Sequence, residues 1–450
     1  MIPNDSYTQH LELVCTQLDQ ALAETGFDSL LIYSGHAPLR YRDDLHFPFR
    51  CNPQFRWLVP DAYARSWLLY TPGTRPQLLL YQPDDYWHSV PALPETFWSE
   101  QLDIRPYSAE SELKGLLAGA AQRAFLGNRS DCGTDLELGQ ENPAALNARL
   151  DWQRSFKTRY EQDCLREANR IAVRGHRAVA RAVQSPCSEN SLHLSYMKAC
   201  GQGENRLPYD SIIALNEHAA VLHWTALSAK TQQPKQILSL LIDAGADCFG
   251  YAADITRTYA GEVGLFSDLL ESMDNMQQEI VSSITVGRSY VDLHRTAQRG
   301  IAKILQDFGV LRVNVDQALD EGVLNTFFPH GLGHLLGLQV HDVAGHQSDR
   351  GGATRPPPED CPALRNTRNI EEDQTFTIEP GLYFIESLLR ALYDSDNRKS
   401  VNWATVEKLI PCGGVRIEDN IVVLADGVEN LTRNAFATAT TSAQDQGDYK

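Results

Sequence analysis

Three histidines lie close together in the glycine-rich stretch FFPHGLGHLLGLQVHDVAG, residues 327–345. His330 and His334 are four residues apart, a spacing that would place both side chains on one face of a helix. The four glycines of the stretch instead favour tightly turned backbone. Imidazoles held on such backbone, with His341 next to Asp342, are typical of metal binding or acid–base chemistry. A glycine-rich loop with satisfied histidines is the alternative, which this stretch alone does not exclude.

Two aspartates flank a turn signal closer to the N-terminus. Asp243 ends an apolar run and Asp254 begins the next strand-like run, with the turn signal at residues 248–250 between them. In a hairpin centred there, the two side chains would lie almost directly opposite each other, with Cβ atoms about 5 Å apart. Two carboxylates at that distance repel each other unless one is protonated or a cation lies between them. Two strand-end aspartates on a solvated face are the alternative, which fits poorly with the apolar LSLLI before Asp243.

Two glutamates occupy similar strand-end positions near the C-terminus. Glu379 lies in FTIEPG, where the following Pro-Gly pair ends the strand. Glu418 lies in GVRIEDN and shares one strand face with Arg416, because side chains alternate along a strand. Taken singly, Glu379 is typical of an ordinary strand end, and Arg416 with Glu418 is typical of a surface ion pair.

Taken together, four carboxylates and one imidazole predict a metal site. The set comprises Asp243, Asp254, His334, Glu379 and Glu418. Such a set suits two divalent ions about 3.5–4 Å apart that share bridging carboxylates. Its oxygen-rich character favours manganese, although cobalt or zinc would also bind.

The elements that would position these residues follow from the hydrophobic periodicity. Up to about residue 155 the pattern predicts a small α/β unit. Its predicted elements are helix 5–25 and strands 29–35, 66–71 and 76–82. The aromatic, proline-rich stretch 41–61 has no period, and we expect it to be an ordered, functional loop.

From residue 157 onwards the sequence predicts long helices and intervening strands. The predicted helices are 157–184, 188–200, 267–284 and 291–308, and the predicted strands are 209–216, 236–245, 254–261, 375–384 and 414–424. Ser188 is the predicted N-cap of the second of these helices. The terminal stretch ATATTSAQDQGDYK is polar, and we expect it to be disordered.

Composition argues against several classes of protein. The 450-residue chain carries 58 acidic and 40 basic residues, a formal net charge of −18, which disfavours a nucleic-acid or anionic-membrane partner. Its nine cysteines are scattered without a CxxC pair, which indicates neither a disulfide framework nor a zinc–thiolate site. The sequence has no signal peptide and no run of about 20 apolar residues, so we expect a soluble, cytoplasmic protein.

Several motifs resemble those of a known enzyme family. DAGADCFGYAADITRTY, HGLGHLLGLQVHD, TIEPGLYF and GVRIEDN resemble, in order and approximate spacing, the metal-site motifs of the creatinase/prolidase (pita-bread) metallopeptidases. The blocks RDDLHFPFRCNPQFRWLVP and LRNTRNIEEDQTFTIEPGLYFIESLL resemble the bacterial Xaa-Pro dipeptidase (prolidase) branch, which includes organophosphorus acid anhydrolases, more than aminopeptidase P. The resemblance covers nearly the whole chain. It implies an α+β fold with a small N-terminal α/β domain over 1–155, a C-terminal pita-bread catalytic domain over 156–438, and a disordered tail over 439–450.

The resemblance also implies a role for each predicted metal ligand. Asp243 would bind one ion, and Asp254 and Glu418 would bridge both ions. His334 and Glu379 would complete the second ion's ligands. No ligand departs from the family's pattern, which disfavours a relative that has lost its metal.

Five further residues match the family's substrate-site positions. His223, in AAVLHW, and His341 match histidines that would stabilise an oxyanion. Arg365, in LRNTR, matches the arginine that binds the C-terminal carboxylate of a dipeptide. Tyr209 and Tyr290 match pocket tyrosines of the anhydrolase-like members. Without the resemblance, the histidines would be interpreted as core residues and Arg365 as a solvated loop residue.

The implied reaction is hydrolysis of Xaa-Pro dipeptides by attack of a metal-bound hydroxide on the scissile carbonyl. Glu379 would move the proton to the proline nitrogen. Arg416 would orient Glu418, and His330 would orient its neighbours.

Two other functions remain open on the sequence alone. One is cleavage of longer Xaa-Pro peptides, as in aminopeptidase P, and the other is a metal-bound interaction protein without turnover. Hydrolysis of organophosphate triesters would be a side activity, because a tetrahedral phosphorus centre resembles the peptide transition state. The resemblance further implies a homodimer in which the loop 41–61 helps to close the partner's site.

Overall fold

The computed structural model describes residues 4–118, 121–132 and 136–445, except for the side chains of residue 4 and of residues 439–445. The described residues form two compact units. The N-terminal unit runs to Cys164 and also includes Phe249–Tyr251 and Ser348–Ala353. The C-terminal unit comprises Leu165–Cys248, Ala252–Gln347 and the chain from Thr354 onwards.

The N-terminal unit is built on a six-stranded sheet. Its helices are α1 (Asn4–Thr25), α2 (Pro53–Leu58), α3 (Glu110–Leu116) and α4 (Ala144–Arg154). Its strands are β1 (Ser29–Tyr33), β2 (Trp67–Tyr70), β3 (Gln77–Tyr81), β4 (Asp103–Tyr107), β5 (Arg123–Leu126) and β6 (Gln140–Glu141). In the order β4-β3-β2-β1-β5-β6, the pairs β1–β2 and β2–β3 are antiparallel and the others are parallel. Leu31, Trp67 and Phe125 from the central strands meet in one buried cluster, because alternate side chains share a face.

The rest of the chain supplies the longer helices and ten further strands. The helices are α5 (Arg159–Ala182), α6 (Glu189–Cys200), α7 (Leu265–Ser282), α8 (Tyr290–Asp307), α9 (Val315–Asp320), α10 (Glu386–Tyr393), α11 (Trp403–Leu409) and α12 (Leu431–Asp445). The strands are β7 (Ile212–Leu215), β8 (Ser239–Asp243), β9 (Asp247–Cys248), β10 (Tyr251–Ala252), β11 (Thr256–Ala260), β12 (Thr375–Ile378), β13 (Gly381–Tyr383), β14 (Gly414–Arg416), β15 (Asp419–Leu424) and β16 (Gly427–Asn430).

Three small antiparallel sheets in the C-terminal unit position four of the predicted ligands, since Asp243 lies in a strand and the other three acids lie close to strand ends. Their strand orders are β11-β8-β7, β12-β15-β16 and β13-β14. A backbone bridge between Thr256 and Glu418 connects the first sheet to the segment between β14 and β15. Helix α8 packs one apolar stripe, which includes Leu293, Ala297 and Ile301, into the largest buried cluster of the unit.

Most predicted elements lie close to their expected bounds. Helix α6 begins after Ser188, whose hydroxyl oxygen accepts a hydrogen bond from Ser191 N at 3.2 Å, as an N-cap should. Helix α12 extends to Asp445 and so includes the first part, 439–445, of the tail over 439–450 that we expected to be disordered. Residues 446–450 lie outside the described residues, and their disorder remains a prediction. None of the helices in the described part of the chain is both long enough and apolar enough to cross a membrane.

Two predicted strands are each divided in two. The expected strand 375–384 is interrupted after Ile378, because Pro380 has no N–H to donate to a ladder. The expected strand 414–424 is interrupted between Arg416 and Asp419. Each interruption holds one predicted ligand, Glu379 or Glu418.

The hairpin that carries the two aspartates has a different register from the predicted one. Asp243 pairs with Thr256 rather than with Asp254. The turn is formed by Phe249 and Gly250, whose φ angles of 50° and 91° are typical of a type I′ turn. Because this turn lies later than the assumed centre, the pairing shifts and Asp254 becomes a diagonal neighbour of Asp243. The expected direct opposition of the two aspartates is therefore wrong.

Gly245 allows a close backbone approach in this hairpin. A Cβ at Gly245 would lie 2.0 Å from the carbonyl oxygen of Ala253 and 2.8 Å from the ring of Tyr209. We expect G245A to lower the free energy of unfolding by about 1–3 kcal/mol or more, because the backbone must move apart. Denaturant unfolding measures this, with G203A as the control, since a Cβ at Gly203 meets open space. Equal unfolding midpoints for the two variants would contradict the expectation.

Candidate metal centre

Three of the five predicted ligands form a buried cluster. Asp254, His334 and Glu418 each offer one ligand atom, and these atoms all lie within 4.8 Å of one another. The three residues are only 5, 3 and 2% exposed, respectively. Buried carboxylates are costly unless they are paired or bind a cation, so this cluster is a candidate metal centre.

The backbone of Asp254 is held by a neighbouring strand. Asp254 N donates to Asn420 Oδ1 at 3.0 Å, and Asn420 Nδ2 donates in return to the carbonyl oxygen of Asp254. Asn420 N in turn donates to Thr432 Oγ1 at 3.0 Å. The buried amide side chain of Asn420 therefore pairs with both the backbone N–H and the backbone C=O of Asp254. This fixes the position of the backbone from which the Asp254 carboxylate extends.

The tautomer of His334 follows from its neighbour. Nδ1 lies 2.9 Å from the carbonyl oxygen of Leu335, which only accepts, so Nδ1 carries the proton. The lone pair of Nε2 is thus directed at carboxylates, 3.4 Å from Asp254 Oδ2 and 3.5 Å from Glu379 Oε1. The backbone before it is tight, as predicted, because a Cβ at Gly333 would lie 2.3 Å from the carbonyl oxygen of Thr377. Three acceptors that converge in this way suit a cation between them.

The ionisation of the carboxylates points the same way. Burial and the carboxylate of Asp254 raise the pKa of Glu418 well above its ordinary value. Burial also raises the pKa of Asp243, against the effect of Arg416, and it raises the pKa of Glu379 to about 7. Burial acts on Asp254 as well, but its pKa is held below the ordinary value by the hydrogen bond and charge that His334 supplies when its ring is protonated, as it would be without a bound cation. Near neutral pH the four groups therefore need further positive charge to ionise together, and divalent cations supply it.

Asp243 is engaged by two donors beside the cluster. Its Oδ1 accepts from the hydroxyl of Tyr209 at 2.8 Å, and its Oδ2 accepts from Arg416 Nη2 at 2.7 Å. Arg416 is only 5% exposed, which excludes the surface ion pair that Arg416 and Glu418 would indicate if taken alone. Arg416 reaches Glu418 through a hydroxyl instead: Nε donates to Thr256 Oγ1 at 3.1 Å, and Thr256 donates to Glu418 Oε2 at 2.8 Å.

Arg416 also begins a chain of hydrogen bonds with a defined direction. Its Nη1 donates to the hydroxyl oxygen of Tyr383 at 2.8 Å. His330 Nδ1 lies 2.7 Å from the carbonyl oxygen of Gly331 and therefore carries the proton, so Nε2 accepts from Tyr383 at 2.9 Å. Burial, followed by the charge of Arg416, lowers the pKa of His330 to about 3 and keeps it neutral. His330 Nδ1 lies 4.0 Å from Glu379, so the residue borders the cluster, where the sequence predicted an orienting role for it.

The expected substrate residues lie on the solvent side of these groups. His341, His223 and Arg365 are all exposed. The ring of His341 packs edge-on against His334, with ring centroids 4.4 Å apart. Burial of part of the ring, and then the charges of His334, Arg365 and His223, lower the pKa of His341 to about 4. His223 and Arg365 therefore lie close enough to His341 for their charges to affect it, and His341 itself contacts the cluster through His334.

The loop that carries Arg365 packs against the glycine-rich stretch. A Cβ at Gly345 would lie 2.2 Å from the carbonyl oxygen of Arg365, and Thr367 N donates to the carbonyl oxygen of Gly345 at 2.9 Å. Tyr290 has a different environment, since it is 0% exposed and its hydroxyl donates to the carbonyl oxygen of Thr377 at 2.7 Å. That geometry favours a positioning role for Tyr290 over contact with substrate.

Three positioning residues were not identified from the sequence. Thr256 follows Asp254 by two positions, Asn420 follows Glu418 by two, and Tyr383 lies in the quoted motif TIEPGLYF. Side chains two apart in a strand share a face, so the position two after a predicted ligand was the available signal for Thr256 and Asn420. Tyr383 lies four positions after Glu379 and had no such signal.

Comparison with known proteins identifies the family. Residues 163–425 match the family model of metallopeptidase family M24, and residues 5–152 match that of the Xaa-Pro dipeptidase N-terminal domain. This chain belongs to metallopeptidase family M24. It is 46% identical over 431 residues to the Xaa-Pro dipeptidase of Aeromonas hydrophila, covering 95% of this chain and 98% of that protein. It is 44% identical over 436 residues to the Xaa-Pro dipeptidase of Shewanella woodyi, covering 96% and 99%.

Solved structures share the fold at low sequence identity. The aminopeptidase PepP of Pseudomonas aeruginosa superposes with a TM-score of 0.72 at 22% identity, covering 98% of this chain and 100% of that one. Aminopeptidase P of E. coli with the inhibitor Pro-Leu gives 0.71 at 21% identity, covering 98% and 99%. The family and the fold class predicted from the sequence are both confirmed.

Thr256 provides a test of the centre that leaves every ligand in place. T256V removes the hydroxyl that links Arg416 to Glu418 while keeping the side-chain volume. We expect the affinity for Mn²⁺ to fall by about 10–100-fold, the usual effect of losing a group that orients a ligand. Calorimetric titration measures this, and T256S, which keeps the hydroxyl, should bind nearly as the parent does. Parental affinity in T256V would show that the hydroxyl does not orient Glu418.

Proposed function

We propose that this chain is a metal-dependent dipeptidase that cleaves Xaa-Pro dipeptides. The observation that carries the proposal is the buried convergence of Asp254, His334 and Glu418, with Glu379 at its edge, in a member of family M24. The relatives named Xaa-Pro dipeptidase, 41–46% identical over nearly the whole chain, support the choice of substrate. The proposal includes a boundary between the N-terminal and catalytic domains at residues 155 and 156.

Two divalent ions would be held by the five predicted ligands. These are Asp243, Asp254, His334, Glu379 and Glu418. The donors are carboxylate oxygens and one imidazole, without a thiolate, which fits manganese best and also admits cobalt or zinc. Such ions, when bound, would lower the pKa of a water molecule so that it attacks as hydroxide, and they would polarise the scissile carbonyl.

Glu379 is the group suited to move the proton. Its side chain is 17% exposed, compared with 4% for His334 and 7% for Asp254, so it reaches furthest towards substrate. The proline nitrogen carries no hydrogen in the peptide bond and must gain a proton when it leaves. Glu379 would take the proton from the attacking water and deliver it to that nitrogen.

His341 and His223 would donate hydrogen bonds to the oxyanion that forms on the carbonyl. Because the pKa of His341 is lowered to about 4, its ring is a neutral donor near pH 7. Arg416 and Tyr383 would not touch the substrate. Arg416 would orient Asp243, and Tyr383 would orient His330. Tyr209, which is half-buried and bonded to Asp243, would line the substrate side.

Replacement of the proposed bridging ligands tests the metal assignment. We expect the parent protein to bind two equivalents of Mn²⁺ and to cleave Ala-Pro, and D254N and E418Q to lose bound metal and turnover together. Elemental analysis and a ninhydrin assay for proline measure both. The control variant is E386Q, which replaces an exposed glutamate and should change neither bound metal nor turnover. If either ligand variant keeps two equivalents of metal, the bridging assignment is wrong, and if the metal-loaded parent protein leaves Ala-Pro intact, the protein is a binder without turnover.

Arg365 would restrict the substrate to dipeptides by pairing with the C-terminal carboxylate. We expect R365A to raise KM for Ala-Pro by about 10-fold or more, since a hydrogen bond to a charged group is worth about 1.5–3 kcal/mol. The KM for Ala-Pro-Ala, whose carboxylate lies one residue further on, should change much less. The exposed Arg312 supplies the control variant R312A, with unchanged KM for both peptides. Equal losses on the two substrates would contradict the proposed pairing of Arg365 with the C-terminal carboxylate.

A homodimer is proposed together with this activity. Three large side chains of the loop 41–61, Tyr41, Leu45 and Phe47, are 90, 57 and 54% exposed. Exposed apolar groups this close together are typical of a protein interface. Light scattering should give about twice the chain mass of 50.3 kDa, and an active monomer would exclude a shared site.

Two further expectations accompany the proposal. Phosphotriester hydrolysis is proposed as a side activity, because phosphorus bonded to four groups resembles the transition state of peptide cleavage. A cytoplasmic location is supported by the absence of disulfides among the nine cysteines, all of which lie in the described ranges.

A further inference from the structure

A buried carboxylate outside the metal centre accepts four hydrogen bonds. Glu189, the first residue of α6, has a side chain that is 1% exposed. Its Oε1 accepts from Leu215 N at 2.8 Å and from His218 Nδ1 at 2.7 Å. Its Oε2 accepts from the indole of Trp224 at 2.8 Å and from Ser228 N at 2.7 Å. Four donors thus share one carboxylate that takes no part in the proposed chemistry.

The four donors lie on both sides of His223 in the chain. Leu215 and His218 precede it, and Trp224 and Ser228 follow it. The rings of His218 and Trp224 are stacked, with centroids 3.9 Å apart and planes at 24°. The carboxylate therefore closes the segment 215–228 into a loop with His223 at its exposed tip.

No regular ladder holds this tip. Within the described chain, residues 221–227 belong to no helix or strand. Asn216 fixes the start of the loop, with φ of 60° and Oδ1 accepting from Leu238 N at 2.6 Å. The part that bears His223 depends on the carboxylate of Glu189 and on packing of Trp224 against a small buried cluster.

We infer that Glu189 is a positioning residue that sets the place of the His223 imidazole relative to the substrate. The inference rests on the proposed function, in which His223 donates to the oxyanion. Both oxygens of a carboxylate accept, so all four donors are satisfied at once. In glutamine one oxygen becomes an NH₂ group that would face two donors, so half of the hydrogen bonds are lost without a change in size. Aspartate keeps the charge but is shorter by one methylene.

E189Q is the variant that tests this. We expect kcat/KM for Ala-Pro to fall by about 10-fold or more, because a small displacement of a reacting group is costly. The bound metal should stay at the parental value, since no ligand is touched. W224F, which removes a single donor and keeps a ring for stacking, should give a smaller loss in the same direction. The control E161Q replaces another glutamate that is 1% exposed and that bonds Thr158 N and the hydroxyl of Tyr251. It should lower Tm without changing kcat/KM.

A double-mutant cycle separates positioning from general damage. If Glu189 acts through His223, E189Q should cost less than about 3-fold in an H223A background, because the two changes are coupled. An unchanged 10-fold loss in that background, or loss of bound metal in E189Q, overturns the inference.

Hydrogen exchange gives a readout that does not need turnover. Peptides covering 216–228 should exchange faster in E189Q than in the parent protein, while E161Q leaves them unchanged. Parental exchange in E189Q overturns the inference even if activity falls. Failure of the proposed function is recognised separately, because the unmutated protein would then not cleave Ala-Pro.

Discussion

The C-terminal unit is organised around buried negative charge. Asp243, Asp254, Glu379 and Glu418 lie together in a setting where burial alone resists their ionisation. One permanent cation, Arg416, pairs directly with Asp243 and reaches Glu418 through a hydroxyl. A single guanidinium does not balance four carboxylates, and buried charges of this kind are weak evidence for stability, which points to a role in binding. The fold therefore keeps an excess of buried negative charge, which bound metal ions would neutralise.

The strands are interrupted where these acids lie. Glu379 follows the end of β12, Glu418 separates β14 from β15, and Asp254 precedes β11. At such interruptions the backbone hydrogen bonds go to partners outside the regular ladders. Asn420 holds Asp254, while Glu379 N donates to the carbonyl oxygen of Leu332 at 2.8 Å and Glu418 N donates to that of Thr256 at 3.0 Å. Ligands that are more than 150 residues apart in sequence can then meet, while the flanking strands keep them rigid.

Much of the fold and of the candidate site could be predicted from the sequence because the signals are local. Helices such as α8 have a clear apolar stripe, and the four motifs carry the predicted ligands at recognisable spacing. The register of the aspartate hairpin was missed because its turn places Phe249 at positive φ, and phenylalanine is not a turn signal. The partner of Arg416 was missed because Asp243 is distant in sequence, and strand alternation suggested the nearby Glu418 instead. Contacts of that kind depend on how separate sheets come together, which no single segment encodes.

The hydrogen-bond chain from Arg416 has a consequence for where protons travel. Arginine gives to Tyr383, Tyr383 gives to His330, and His330 gives to the carbonyl oxygen of Gly331. Every hydrogen in this series is committed in one direction, and the last acceptor is a peptide oxygen that does not take up a proton. The series therefore does not conduct protons from the centre to its far end. Exchange of protons between the reaction centre and the surrounding water is then left to the acids with the most exposed side chains, Glu379 at 17% and Asp243 at 13%.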